Sequence, residues 1–357
     1  MKLHIFNPEH DLALAANLSN FTAPHAGRQL HTDLGYIPAL WAADDDYVLV
    51  DNIEEAQTAF SRLMHRPFTH FVEKHQLAKL TFDAVEPWGW DLALRAFLLR
   101  YGVSETVCPT ESDIAVIRAL SHRKTAIDLL SGLCTGHLES LAPQPDGAFP
   151  CLCDTLEGVE RLLGRWQQAV LKAPWSSSGR GIRFVSETLD SYQRGWLQNI
   201  LERQGSIVVE PYYNKVKDFA MEFHSDGQGC VSYRGLSLFH TSNGAYTGNI
   251  LAPEDTKREL ISRYVNLDLL DAVNADICRL LGAEFAGKYQ GPFGIDMMIV
   301  TGRDKDGSQD QRGFLLHPCV EINLRRTMGH VALSILREGV MQIDYRDNHY
   351  KLKIQKQ

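Results

Sequence analysis

Two segments near the end of the chain leave little choice of structure. One is Phe293-Gly294-Ile295-Asp296-Met297-Met298-Ile299-Val300, the other Val320-Glu321-Ile322-Asn323-Leu324. Both read as strands. Side chains of a strand alternate between its two faces, so Glu321 and Asn323 share one face while Val320, Ile322 and Leu324 share the other. Between the two runs, Thr301 to Gly313 is polar and rich in Gly and Asp, the composition of a long hairpin turn. Such a hairpin sets Asp296 beside Glu321. Two carboxylates and an amide oxygen are the hard ligands that magnesium takes when phosphates complete its shell. The plain alternative is a solvated strand face.

A second segment supplies the complementary chemistry. Ala169-Val170-Leu171-Lys172 is a short apolar run that ends in a cation, followed by Ala173-Pro174-Trp175-Ser176-Ser177-Ser178-Gly179-Arg180-Gly181. Lys172 is a point charge at the end of a buried strand. From Ser176 to Gly181 only Arg180 is bulky, so backbone N–H groups can approach an anion. The order of a Walker loop is absent. An ordinary hairpin turn between Leu171 and Phe184 is the competing reading.

Together these segments resemble the ATP-grasp superfamily, and the resemblance runs from about Cys108 onward. It implies mixed α/β and α+β architecture: two α+β subdomains that clamp ATP, behind a small N-terminal Rossmann-like domain. The bounds expected are 1–110 for the N-terminal domain, 111–205 for the lid subdomain with the phosphate loop, and 206–357 for the subdomain with the metal ligands. By this resemblance Lys172 and Lys124 are the two ATP-binding lysines, although the family's Asp-Lys pair is here Arg123-Lys124. Ser176, Ser177, Ser178, Gly179 and Gly181 match the phosphate loop. Glu210, Tyr212 and Tyr213 match the hinge at the adenine edge, and Asp218 the acidic position near ribose. Asp296, Glu321 and Asn323 match the metal ligands, so the implied cofactors are ATP and Mg2+. Arg325, two residues after Asn323, matches the guanidinium that steadies the reacting phosphoryl group, with Arg326 beside it. Ligases of D-alanyl dipeptides carry arginine two residues before the metal aspartate. Here Gly294 stands there, which argues against that activity.

Three further groups suit a second substrate. Phe6-Asn7-Pro8-Glu9-His10-Asp11 follows the first strand, at the sheet edge where open α/β folds bind ligands. Glu9, His10 and Asp11 are candidates for a polar or amino-bearing substrate, with Asp11 as a helix N-cap the alternative. Arg234 suits a substrate carboxylate, and Thr241 to Asn249 is a candidate lid. His330, in Arg325-Arg326-Thr327-Met328-Gly329-His330, resembles a substrate-touching position of purine-pathway carboxylating members.

The expected function is therefore an ATP- and magnesium-dependent ligase that joins a carboxylate to an amine through an acyl phosphate. The substrates would be small molecules of amino-acid or peptide type. A kinase on the same fold and a non-catalytic nucleotide-binding protein are the alternatives. Length and composition agree: 357 residues suit two or three domains, and 44% hydrophobic with 22% charged residues suits a globular chain. A net charge of −8 argues against nonspecific nucleic-acid binding. No apolar stretch has membrane-spanning length. Seven scattered cysteines fit reduced thiols in a cytoplasm. Cys151-Leu152-Cys153 alone is a weak metal motif. Helices are expected over Trp90–Tyr101, from Thr110 or Ser112 as N-cap, over Leu156–Gln168, Tyr264–Leu281 and Val331–Glu338. Leu141 to Gly147 reads as a surface loop. The oligomeric state is left open.

Overall fold

The structure, a computed structural model, describes residues 1–137, 141–142, 149–176, 181–242, 245–303 and 309–356. The chain forms two compact units. The first comprises residues 1–119, 247–253 and 324–357, the second residues 120–246 and 254–323.

The first unit is built on a parallel sheet in the order Phe71–Val72, Tyr47–Leu49, Lys2–Ile5, Ala84–Pro87. Its strands are apolar toward both faces, as a sheet covered on both sides requires. Val48 joins the core of Phe6, Phe60, Phe71 and Trp88, while its neighbour Leu49 joins Leu3, Ile5, Leu94 and Leu98 on the other face. Helix Ile53–Met64 starts at Asn52, which accepts from the Glu55 N–H, and buries Ala56, Phe60 and Leu63 along one stripe. Helix Leu92–Arg100 starts at Asp91 in the same way. Thr110 and Asp113 exchange hydrogen bonds at the start of Glu111–Leu120, so Thr110 is the cap. The C-terminal hairpin, Gly339–Arg346 with His349–Gln355, turns through Asp347 and Asn348, both at positive φ, and its Met341 and Leu352 enter the first core.

The second unit has two four-stranded sheets. One runs Cys151–Cys153, Ile207–Pro211, Gln168–Lys172, Ile182–Ser186, all antiparallel. Ala169, Leu171, Ile207 and Val209 pack on helices Leu156–Trp166 and Ser191–Gln204. By alternation Val170, Lys172, Val208 and Glu210 take the opposite face. The other sheet runs Val231–Ser237, Lys215–Asp226, Gln290–Arg303, Gln309–Asn323, also antiparallel. Its apolar face carries Phe223, stacked on Phe293 at 5.2 Å, and Phe285 of helix Leu267–Phe285 meets Phe293 edge-on.

Several expectations shift. The late hairpin is longer than its two apolar runs, with Arg303 already paired to Gln309. Asp11 does not cap a helix: His10–Ala16 begins at Glu9, which makes no side-chain cap, and Asp11 lies in the first turn. The last helix is Met328–Leu333, because Thr327 caps it three residues earlier than expected. Leu141 is no surface residue: it is fully buried and bridged to Leu316. The rest of that loop, 143–147, lies outside the described residues. Among those residues no helix is long and apolar enough to cross a membrane.

Candidate functional site

In the second unit a narrow cleft opens between the two sheets and helix Arg123–His137. Ala126, Ile127, Leu130, Pro150, Val208, Cys319 and Val320 give it an apolar wall, and Arg123, Lys172 and Glu210 its polar end. The register explains the polar end. Val170 pairs with Glu210 and Lys172 with Val208, so the lysine and the glutamate are diagonal neighbours on one face. They form a buried ion pair, each 5% exposed. Burial pushes the Cys319 thiol up, with Asp296, Glu210 and Glu321 adding to the shift, so a neutral thiol lines the wall.

Beside the cleft stands the acidic face of the second sheet. Asp296 lies directly opposite Glu321, and Gly294 opposite Asn323. All three candidate ligands are partly exposed, while Ile295, Ile322 and Leu324 are buried. The donor chemistry fits a hard divalent cation that takes further oxygens from phosphate. Among the described residues no group of three His, Cys, Asp or Glu side chains is placed to hold a metal. The amide of Asn323 and outside ligands would have to complete this set.

The cation on Glu321 in this structure is Arg123. Its Nη2 lies 2.9 Å from Glu321 Oε1 and donates to Ser176 Oγ at 3.3 Å, and its Nε donates to the Ala173 carbonyl at 3.0 Å. Lys124, the lysine expected at ATP, does not line the cleft. Lys124 is exposed and pairs with Asp128 one helical turn on, away from the cleft. Helix phase was the signal missed. Arg123, Ala126, Ile127 and Leu130 fall at i, i+3, i+4 and i+7, one stripe facing the cleft, and Lys124 is out of phase with it.

The phosphate-loop candidates divide. Ser177, Ser178 and Gly179 lie outside the described residues. Ser176 and Gly181 close the base of the loop, where the Ala173 N–H donates to the Gly181 carbonyl at 2.8 Å. A Cβ at Gly181 would lie 2.3 Å from Ser176 Cβ, so only glycine fits. On either side of the segment, strands Gln168–Lys172 and Ile182–Ser186 pair antiparallel, with Lys172 opposite Ile182. Tyr212 is exposed and meets Phe184 edge-on. Tyr213 is turned inward against His317 at 5.1 Å, and burial pushes its hydroxyl well up. Asp218 accepts from Lys215 Nζ at 2.6 Å.

Two residues of this unit went unnoticed in the sequence. Glu222 pairs across Gly294, on the face of Asp296 and Asn323, and is 1% exposed. Tyr246 is pushed up by burial first and by the Glu222 charge second. The parity 218, 220, 222 would have placed it. His317 is fully buried two pairs along from Glu321, and neither ring nitrogen has a hydrogen-bond partner among the described residues. Arg234 is exposed at the bulge between Tyr233 and Gly235.

In the first unit the polar cluster after strand Lys2–Ile5 is partly satisfied internally, although Glu9 Oε2 and His10 Nδ1 have no hydrogen-bond partner among the described residues. Asp11 accepts from Arg325 through both oxygens, Nε at 3.0 and 3.1 Å and Nη2 at 2.8 Å. His10 is 1% exposed, with Nδ1 3.5 Å from Asp91 and its ring against Gly89. Asn7 donates to the Gly89 carbonyl at 2.8 Å and to Asp91 at 3.2 Å. His330 is buried in a capping box with Thr327, its Nδ1 3.2 Å from the Thr327 N–H. These contacts bury His10 and His330 within the first unit. Glu9 is part-exposed, 3.3 Å from His31. Burial lowers the His31 pKa, but the Glu9 carboxylate beside it outweighs burial and the net shift is upward. Arg326 lies over the Trp41 ring at 4.4 Å and 3.7 Å from Glu86.

No family model and no curated protein matches the sequence. Among solved structures, the chain is similar to N5-carboxyaminoimidazole synthetase from Staphylococcus aureus complexed with ADP, at 12% identity and TM-score 0.46, covering 97% of this chain and 83% of that one. It is also similar to the biotin carboxylase domain of the Hydrogenobacter thermophilus 2-oxoglutarate carboxylase, in complex with MgADP, ADP and bicarbonate. There identity is 13% and the TM-score 0.48, over 97% and 75% of the two chains. Biotin carboxylase from Campylobacter jejuni gives 14% and 0.45, over 98% and 77%. A likeness of this size assigns neither substrate nor reaction.

Proposed function

We propose that the chain is an ATP- and magnesium-dependent ligase that couples a small carboxylate to an amine through an acyl phosphate. One observation supports this most. Lys172 and Arg123, from two separate elements of one unit, line a single cleft with an apolar wall, and Arg123 also reaches Glu321, which lies opposite Asp296 on the face that carries Asn323. The wall suits a purine base, and Glu210 is its polar partner. Lys172 and Arg123 supply charge for phosphate oxygens. Asp296, Glu321 and Asn323 would hold magnesium, which when bound neutralises charge on the transferred phosphoryl group. A guanidinium held still favours a developing oxyanion more than a mobile one does. Asp11 fixes Arg325 in that way, and we read it as an orienting carboxylate, with Glu9 left as the substrate contact of its cluster.

The test is a screen of metabolite pools for nucleotide turnover, with mass spectrometry of the product. Release of both ADP and inorganic phosphate, only when a carboxylate and an amine are present, is the expected result. ADP without phosphate identifies a kinase. Nucleotide binding without turnover in any pool identifies a binding protein.

A further inference from the structure

We propose that Arg123 is a nucleotide-binding residue that occupies Glu321 when the site is empty and exchanges it for a phosphate oxygen when nucleotide and metal enter. The inference rests on the nucleotide reading above and adds a competition to it: guanidinium and metal share one carboxylate.

Arg123 is 7% exposed, and three of its contacts tie together parts of the site that a nucleotide would otherwise join. Nε and Nη2 hold Ala173 and Ser176, the entry to the phosphate hairpin, and Nη2 also holds Glu321 on the acidic sheet. The fork is incompletely used. Nη1 is buried and has no acceptor among the described residues, although Arg123 lines the cleft beside Lys172. A buried donor without an acceptor is unfavourable, and a charged one more so. An anionic oxygen in the cleft would satisfy Nη1 and pull the fork from Glu321. The freed carboxylate is then available to a divalent cation. In the empty site the same pair neutralises a carboxylate that would repel incoming phosphate. Guanidinium geometry suits the task, because one planar group can hold a backbone carbonyl and reorient its remaining donors between carboxylate and phosphate.

Two consequences separate this from a plain ion pair. Nucleotide without metal must compete with Glu321 for Arg123, so it binds more weakly than the cleft allows. Removing the Glu321 charge then helps metal-free nucleotide through Arg123, and not merely by removing repulsion. The experiment is calorimetric titration of the full chain with ADP, in chelator and in excess magnesium, for wild type, Glu321→Gln, Arg123→Gln and the double variant. Glu321→Gln should tighten metal-free ADP by about tenfold, the scale of one charge-assisted hydrogen bond, and should abolish the gain from magnesium. Arg123→Gln should weaken metal-free ADP, and the double variant should show no tightening relative to it. Arg123→Lys keeps the charge without the fork and should show a reduced coupling. It carries the comparison if Arg123→Gln does not fold. Equal tightening with and without Arg123, or unchanged metal-free affinity in Glu321→Gln, overturns the exchange while leaving the nucleotide site standing. Absence of ADP binding in every form, wild type included, overturns both.

Discussion

The imidazole of His317 is a buried base that acid must reach by unfolding the protein. It is fully enclosed, meets Tyr213 edge-on, and has no hydrogen-bond partner for either nitrogen among the described residues. Burial lowers its pKa from 6.5 to about 4, with Glu210 opposing and Lys172 reinforcing that shift. The folded state therefore keeps His317 neutral where the unfolded chain protonates it. Above pH 6.5 the group is neutral in both states and has no effect. As pH falls from 6.5 through about 4 the unfolded state gains a proton that the folded state lacks, and stability is lost. At about 1.4 kcal/mol per pKa unit, the loss amounts to about 2.5 kcal/mol by pH 4.5. His317→Phe keeps an aromatic edge against Tyr213 and has nothing to titrate. Calorimetric melting of both proteins at pH 7.5 and 4.5 isolates the effect, since other acid-sensitive pairs are common to both. The variant should gain on wild type by roughly 5 to 10 °C at the lower pH, given about 2–4 °C per kcal/mol in a unit of this size. Parallel pH dependence in the two proteins would refute a neutral, enclosed His317.

Two further substitutions probe the first unit. Gly89→Ala would put a methyl group 2.6 Å from the ring of the buried His10, and overpacking of this kind costs roughly 1–3 kcal/mol. Urea unfolding followed by tryptophan fluorescence should show it, and an unchanged midpoint would mean that His10 can move aside. Asp11→Asn removes the charge that orients Arg325 and should cost about 1.5–3 kcal/mol, the range for hydrogen bonds to a charged group. ADP affinity should be unchanged in this variant, and a selective loss of nucleotide binding would contradict the assignment of nucleotide to the second unit.

What was legible in the sequence was what alternation and turn chemistry control. Asp296 opposite Glu321 followed from two apolar runs and a polar turn, because one face of a strand cannot hold both carboxylates and core. Lys172 at a buried strand end followed from the apolar residues before it. What depended on phase and on distant partners was harder. Lys124 and Arg123 are adjacent cations, and only the helical stripe through Ala126, Ile127 and Leu130 tells them apart. Asp11, His10 and His330 looked like a free polar edge. Their partners Arg325, Asp91 and Thr327 fix them instead, and the first two of these are far away in sequence. His317 is a buried polar residue inside a strand, where a pattern of apolar positions gives no warning. The C-terminal segment 324–357 packs with the N-terminal residues, a closure that no local signal announces.

The central claim is that a magnesium nucleotide is held in the cleft of the second unit by Lys172. Lys172→Met alone would strand Glu210, and breaking a buried pair costs roughly 3–5 kcal/mol. The double variant Lys172→Met, Glu210→Gln removes both charges together and keeps the fold. Calorimetric titration of wild type with magnesium and ADP should give one site per chain. The double variant should bind at least about tenfold more weakly, the effect of losing a charge-assisted contact, with its melting temperature close to that of wild type. Wild-type affinity in a folded double variant, or no binding to wild type at all, would contradict the account.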